Sequence, residues 1–119
     1  MIRENLTPQS LIDLVNLATP LTPEHYPALA QLSGNPRENF IVGHSIRHLS
    51  KSVGKMQAVI ESAEHGDQLD KKQIEEKLAA ATFSICKLCS VLGITADKLA
   101  DGVYEMVKAE QSRLAEAQT

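Results

Sequence analysis

The chain reads as an all-α helical bundle, and three features of the sequence say so. Apolar residues recur at steps of three and four over two long stretches, 36–64 and 71–92. Helix-start residues stand before each periodic stretch, and turn residues stand after it. No segment shows the strict apolar–polar alternation of a half-buried strand.

Thr7-Pro8 joins an N-cap to a proline at the first helical position. A helix is expected from there, with Leu11, Leu14, Val15 and Ala18 on one face and Thr19-Pro20 ending it. Thr22-Pro23-Glu24 repeats the signal and predicts a short helix to about Leu32. Ser33-Gly34-Asn35-Pro36 is a turn, with Asn35 as the expected cap, Pro36 as the first helical residue and Glu38 closing a capping box.

From Pro36 to Glu64 only Gly43 and Gly54 interrupt the pattern. Ile46, Leu49, Val53, Met56, Ile60 and Ala63 form a heptad-like seam, which predicts packing along the length of another helix. His65-Gly66-Asp67 ends this helix, with Gly66 suited to a left-handed cap. Asp70 then caps a helix that runs to Leu92 and closes at Gly93. Its stripe is Ile74, Leu78, Ala81, Ile85, Leu88 and Leu92, while Ala79, Phe83 and Cys86 lie nearly opposite.

A helix that is apolar on two faces is central or meets another subunit, so a homodimer through helix 71–92 is expected. The small residues Ala79, Ala80, Ala81, Ser84 and Ser90 permit close approach of neighbours. Thr95 opens a last helix with Leu99, Val103, Met106 and Val107 apolar, and the polar tail 109–119 is expected to fray. The whole is one domain, 1–119: short helices within 1–34, a bundle core 35–108 built on a long antiparallel hairpin, and the tail.

Composition narrows the function. The 119 residues carry 12 Lys+Arg against 15 Asp+Glu, a net charge of −3, which argues against a general nucleic-acid binder. Hydrophobic residues reach 43%, too many for a disordered chain. Aromatics are only 3%, so a bound nucleotide is expected to find few rings to stack on and to rely on phosphate contacts. No apolar run approaches the ~18 residues of a membrane span. The stretch from Met1 to Pro8 lacks the apolar core of a signal peptide. Cys86 and Cys89 cannot staple a secreted scaffold. A soluble, cytoplasmic domain without cofactor, nucleic acid or membrane partner is the expectation.

Chemistry-bearing residues concentrate on the 36–64 helix. His44, His48, Lys51 and Lys55 follow steps of four, three and four, which places them on one narrow strip beside the apolar face. The histidines can ligate a metal and the lysines can hold phosphate or carboxylate oxygens. A solvated helix edge explains the same strip without function. Cys86 and Cys89 have Cys-x-x-Cys spacing, but they lie inside an apolar helix rather than at a helix start, so a redox motif does not fit. With His44 and His48 they could complete a Cys₂His₂ metal site across the hairpin; two apolar, buried thiols are the plainer reading. Glu61, Glu64, His65 and Asp67 cluster at the hairpin turn, where polar residues are ordinary.

The segments LSKSVGKMQAVIESA (49–63) and KLAAATFSICKLCSVLGI (77–94) resemble the MazG-like all-α nucleoside triphosphate pyrophosphohydrolases. Apolar spacing, Gly54, the Leu92-Gly93-Ile94 ending and a further helix beyond it carry the resemblance over about half the chain. It implies a MazG-like hairpin and, in the family, carboxylates that hold magnesium against substrate phosphates. Those carboxylates fall here on Lys51, Ser52 and Lys55, and on Lys77 and Ala80. With no carboxylate at these positions, the family's magnesium mechanism is not expected to operate.

The resulting expectation is a non-catalytic, pseudoenzyme-like module that binds a nucleotide or other small anion through His44, His48, Lys51, Lys55 and Lys77. A divergent pyrophosphohydrolase using His44, His48 and the 61–67 cluster is one alternative. A structural or regulatory partner-binding bundle is another.

Overall fold

A computed structural model describes residues 6–118 of the chain. Residues 1–5, within the expected N-terminal segment, and Thr119, the end of the expected tail, lie outside the described residues. Helix is the sole regular structure among the described residues: α1 (Pro8–Ala18), a 3₁₀ segment (Pro27–Gln31), α2 (Gly34–Glu64), α3 (Lys71–Leu92) and α4 (Ala96–Ala117). No single one of these helices is long and apolar enough to cross a membrane.

The caps explain most of the boundaries. Thr7 and Ser10 close a reciprocal box at the start of α1: the Ser10 amide donates to Thr7 Oγ1, and the Thr7 amide donates to Ser10 Oγ. Asp70 and Thr95 accept from the amides of Gln73 and Lys98. At the end of α2 the Asp67 and Gly66 amides donate to the Ser62 and Ala63 carbonyls, a Schellman pair that Gly66 permits at φ 107°. Gly93, at φ 69°, does the same for α3, with Ile94 donating to Cys89.

Three boundaries differ from expectation. Residues 22–26 form turns, and regular structure resumes only as the 3₁₀ segment at Pro27. Pro27 lacks the amide an α-helix needs there and pushes Tyr26 out of the helical region, to φ −123° and ψ 89°. Helix α2 starts at Gly34, with Ser33 as an N-cap that makes no side-chain hydrogen bond. Gly34 turns the chain in at φ 60°, so Asn35 is already helical and the Asn35–Glu38 capping box does not form. The tail does not fray at 109: α4 continues to Ala117, carrying an Arg113–Glu110 pair on its surface.

Helix α3 is the central element, with α2 along one side and α1 across another. Positions 45, 49, 52, 56, 59 and 63 of α2 and 74, 77, 81, 84, 88 and 91 of α3 step by three and four and are each buried or half-buried, which marks them as the seam of the packed hairpin. The expected α2 seam was half right. Leu49, Met56 and Ala63 face α3, while Ile46, Val53 and Ile60 stay exposed one position round the helix. The same split divides the α3 stripe: Ile74, Ala81 and Leu88 face α2, and Leu78, Ile85 and Leu92 are exposed. The serines at 45, 52 and 84 are buried, and their small size lets the hairpin close tightly.

The second face of α3 is covered by α1. Cys86 and Cys89 pack with Ile12 and Val15, with Ile94 and Ala96 against the same cluster. Leu29 of the 3₁₀ segment and Ile41 in α2 are almost fully buried, and Arg37 of α2 donates to the Leu29 carbonyl.

Candidate functional site

A cleft of about 750 Å³ opens on the flank of the hairpin formed by residues one position before the seam. Such a volume suits a small-molecule ligand. Its floor consists of Ser45, Ser52 and Ser84 with Ala79 and Ala80, so the small residues of α3 do more than permit close packing; they leave space. Its rim is the turn segment 25–28, held over α2 by Arg37. One guanidinium nitrogen of Arg37 donates to the Leu21 carbonyl at 2.7 Å and another to the Leu29 carbonyl at 3.4 Å.

Rings line this cleft to a degree the overall composition conceals. Of two Tyr and two Phe in the chain, Tyr26, Phe40 and Phe83 are here, and so are His25, His44 and His48 of four histidines. His44 is the hub: its ring is 5.4 Å from Tyr26 and 4.6 Å from His48 in edge contacts, and 6.0 Å from Phe40 in a stacked one. His25 extends the chain of rings through Tyr26, at 4.7 Å. The expectation that a ligand would meet few rings is therefore corrected. Folding gathers sparse aromatics from three segments into one wall.

Lys87 forms part of the same wall. Only 3% of its surface is exposed, its ammonium donates to the Thr19 carbonyl, and it lies over the Tyr26 ring, 5.6 Å from the centroid. Among the described residues no carboxylate pairs with it. Burial lowers its pKa from the ordinary lysine value. A buried ammonium held by one carbonyl and one ring retains hydrogen-bonding capacity for an anion. His44 is also held below the ordinary imidazole value, first by burial and then by the neighbouring charges of His48, Arg47 and His25.

The expected strip is divided in space. His44 and His48 line the cleft, whereas Lys55 and Lys77 line a smaller pocket further along the same flank, with Ser62 and Gln73. Lys51 lines neither, but its charge reaches Lys55: the Lys55 pKa is lowered by Lys77 first and Lys51 second. None of the three lysines pairs with a carboxylate among the described residues. Ser52 and Ala80, two further positions singled out by the MazG-like resemblance, lie on the cleft floor.

Two other arrangements are not assembled. The cysteines face α1 rather than the histidines, and burial raises the Cys86 pKa, with Cys89 adding to the shift. A Cys₂His₂ site with His44 and His48 is thus not formed, and no three His, Cys, Asp or Glu side chains converge for a metal among the described residues. The 61–67 cluster sits at the hairpin turn, where Ser62 donates to Asp67 at 2.5 Å and His65 Nδ1 bonds the Glu61 carbonyl. Seventeen residues of one continuous helix separate His44 from Glu61, about 25 Å at the helical rise. The two halves of the divergent-hydrolase site do not meet within one chain.

His25, Tyr26, Phe40, Phe83 and Lys87 were not legible as site residues. Lys87 alone carried a usable signal, a lysine between the two cysteines of an otherwise apolar helix face. Comparison with protein-family models, with curated protein sequences and with solved structures finds no match.

Proposed function

We propose that this chain is a non-catalytic binding module for a small ligand that joins a planar ring to an anionic group, with nucleotides as the class to test first. The observation that carries the reading is Lys87, a buried ammonium without a carboxylate partner among the described residues, in the wall of a ring-lined cleft. In this reading the ring of the ligand lies among Tyr26, Phe40, His44 and Phe83, and Lys87 takes an anionic oxygen. His48 contributes a second hydrogen-bonding group. Lys51, Lys55 and Lys77 extend positive charge along the flank toward further phosphates; Lys55 follows His48 by seven residues, about 10 Å at the helical rise.

The MazG-like resemblance supports this reading and is part of it. The positions that carry magnesium ligands in that family border this flank, with lysine at three of them. We infer a relative of those proteins in which side-chain ammonium groups replace the metal's charge, so that phosphates are bound but not cleaved. A cytoplasmic setting fits a nucleotide-class ligand.

Equilibrium binding of nucleoside mono- and triphosphates, each with and without magnesium, tests the proposal. Binding independent of magnesium, lost in Lys87→Met and weakened in Lys51→Glu, is the expected result. Absence of binding by every nucleotide would favour the partner-binding bundle, and pyrophosphate release abolished by His48→Ala would favour the hydrolase.

A further inference from the structure

We propose that a second copy of this chain covers the apolar flank of the α2–α3 hairpin, and that α4 is the element exchanged between the two copies.

The first ground is area. A folded monomer of 13.0 kDa exposes about 6,300 Å², whereas this chain exposes 8836 Å². Six residues lie outside the described range; crediting them with the full surface of extended chain, roughly 1,000 Å² in all, still leaves about 1,500 Å² in excess per copy. Twice that excess falls in the size range of obligate homodimer interfaces, about 2,000–5,000 Å² in total. The radius of gyration agrees: it is 18.0 Å, against about 13.5 Å for a compact chain of this length.

The second ground is where the excess lies. Every residue from Asp97 to Gln118 is exposed, so beyond Ala96 α4 buries none of its side chains. The chain bends by 114° between α3 and α4. The base of α4 is tied to α1 by the Ala96 amide, which donates to Gln9 Oε1 at 2.8 Å. Beyond that base α4 displays Leu99, Val103, Met106, Val107 and Leu114, all exposed, Met106 by 72%. A 22-residue amphipathic helix with Gly102 in its interior draws little stability from propensity alone.

The third ground is fit. The cleft and the smaller pocket beyond it use positions 48, 55 and 62 of α2 and 73, 80 and 87 of α3, one residue before the seam. Positions one residue after the seam therefore lie on the opposite flank: Ile46, Val53 and Ile60 from α2, and Leu78, Ile85 and Leu92 from α3. Each row spans fourteen residues, about 21 Å. The α4 row from Leu99 to Leu114 spans fifteen, about 22 Å. Laid along the paired rows of a partner, α4 completes a three-helix layer, and two-fold symmetry repeats it on the other copy. A lipid surface suits α4 less well, because the helix carries five acidic and three basic side chains.

Light scattering with far-UV circular dichroism, read across a dilution series, tests this. The wild-type chain is expected at twice 13.0 kDa and to lose helix as it dissociates. Met106→Lys and Ile85→Glu stand mid-row on the two surfaces, so each is expected to yield monomers alone. Met106 has no buried contact to lose, which leaves the monomer fold intact. Mixing the two variants places the new lysine against the new glutamate at one of the two exchanged contacts and leaves the other wild type, so dimers return. A wild-type monomer throughout, a dimer indifferent to both substitutions, or a mixture that stays monomeric would each overturn the proposal. So would a monomer retained on phosphatidylglycerol vesicles, which would assign α4 to lipid.

Discussion

The ammonium of Lys87 lies over the ring of Tyr26, 5.6 Å from its centroid, and joins the central helix to the turn that roofs the cleft. Burial lowers the Lys87 pKa, so its charged form is disfavoured in the folded chain relative to the unfolded one. The sign follows: that cost is present below the folded pKa and fades as pH rises toward the ordinary lysine value. Replacing Lys87 by Met removes the buried charge and keeps the aliphatic bulk. Urea unfolding at neutral pH is expected to show stability unchanged or raised by about 1 kcal/mol. Nucleotide affinity is expected to fall at least about tenfold, or ~1.4 kcal/mol. A residue kept for structure would show the reverse pattern.

His44 supplies a pH dependence. Its pKa lies below the ordinary imidazole value, so protonation opposes folding. Stability is expected to fall as pH drops through the unfolded imidazole range, with the full cost present below the folded pKa. An anion in the cleft reverses the preference by stabilising the imidazolium. Affinity is therefore expected to rise as pH falls from 7 toward 5, and calorimetry in buffers of different ionisation enthalpy should show proton uptake. His44→Gln is expected to flatten both profiles.

The hairpin was legible in the sequence because its evidence is local and redundant. Asp70, Gly66, Gly93 and Thr95 cap as their chemistry requires, and the period of the apolar residues names two long helices. Which neighbouring heptad row faces inward was not legible. Ile46 and Leu49 are equally apolar, yet buried Ser45 and Ser52 define the contact line and turn Ile46 and Val53 outward. The site was half legible: His44 and His48 share a helix face, so spacing revealed them. Tyr26 and His25 are brought to the cleft by the Arg37 hydrogen bonds, the Lys87 contact with Tyr26 and the burial of Leu29, which no local pattern encodes. Pro27, read as one more residue of a short helix, is the breaker that shapes their turn.

The lysine cluster is expected to select for additional phosphates. Lys55, Lys77 and Lys51 repel one another in solvent, and a triphosphate relieves that repulsion more than a monophosphate does. Lys55→Glu and Lys77→Glu are each expected to narrow the triphosphate-over-monophosphate preference by a factor of about three, the scale of an exposed ion pair. Raising the salt concentration should narrow it in the wild-type chain as well. Titrations at two salt concentrations check both outcomes.

Two glycines are expected to respond oppositely to Ala. A Cβ at Gly54 meets nothing within 4 Å, and the residue lies inside a helix, so Gly54→Ala should stabilise by about 0.5–1 kcal/mol. Gly93 holds φ 69° in the cap of α3, so Gly93→Ala should destabilise by about 1 kcal/mol. Thermal melts of both variants beside the wild type read the two signs.

Calorimetric titration of a nucleoside triphosphate, in chelator, into the wild-type chain and into Lys87→Met tests the central claim most directly. Magnesium-independent binding to the wild-type chain and its loss in a folded Lys87→Met variant is the expected result. Equal binding by both proteins, or none by the wild type, would contradict it.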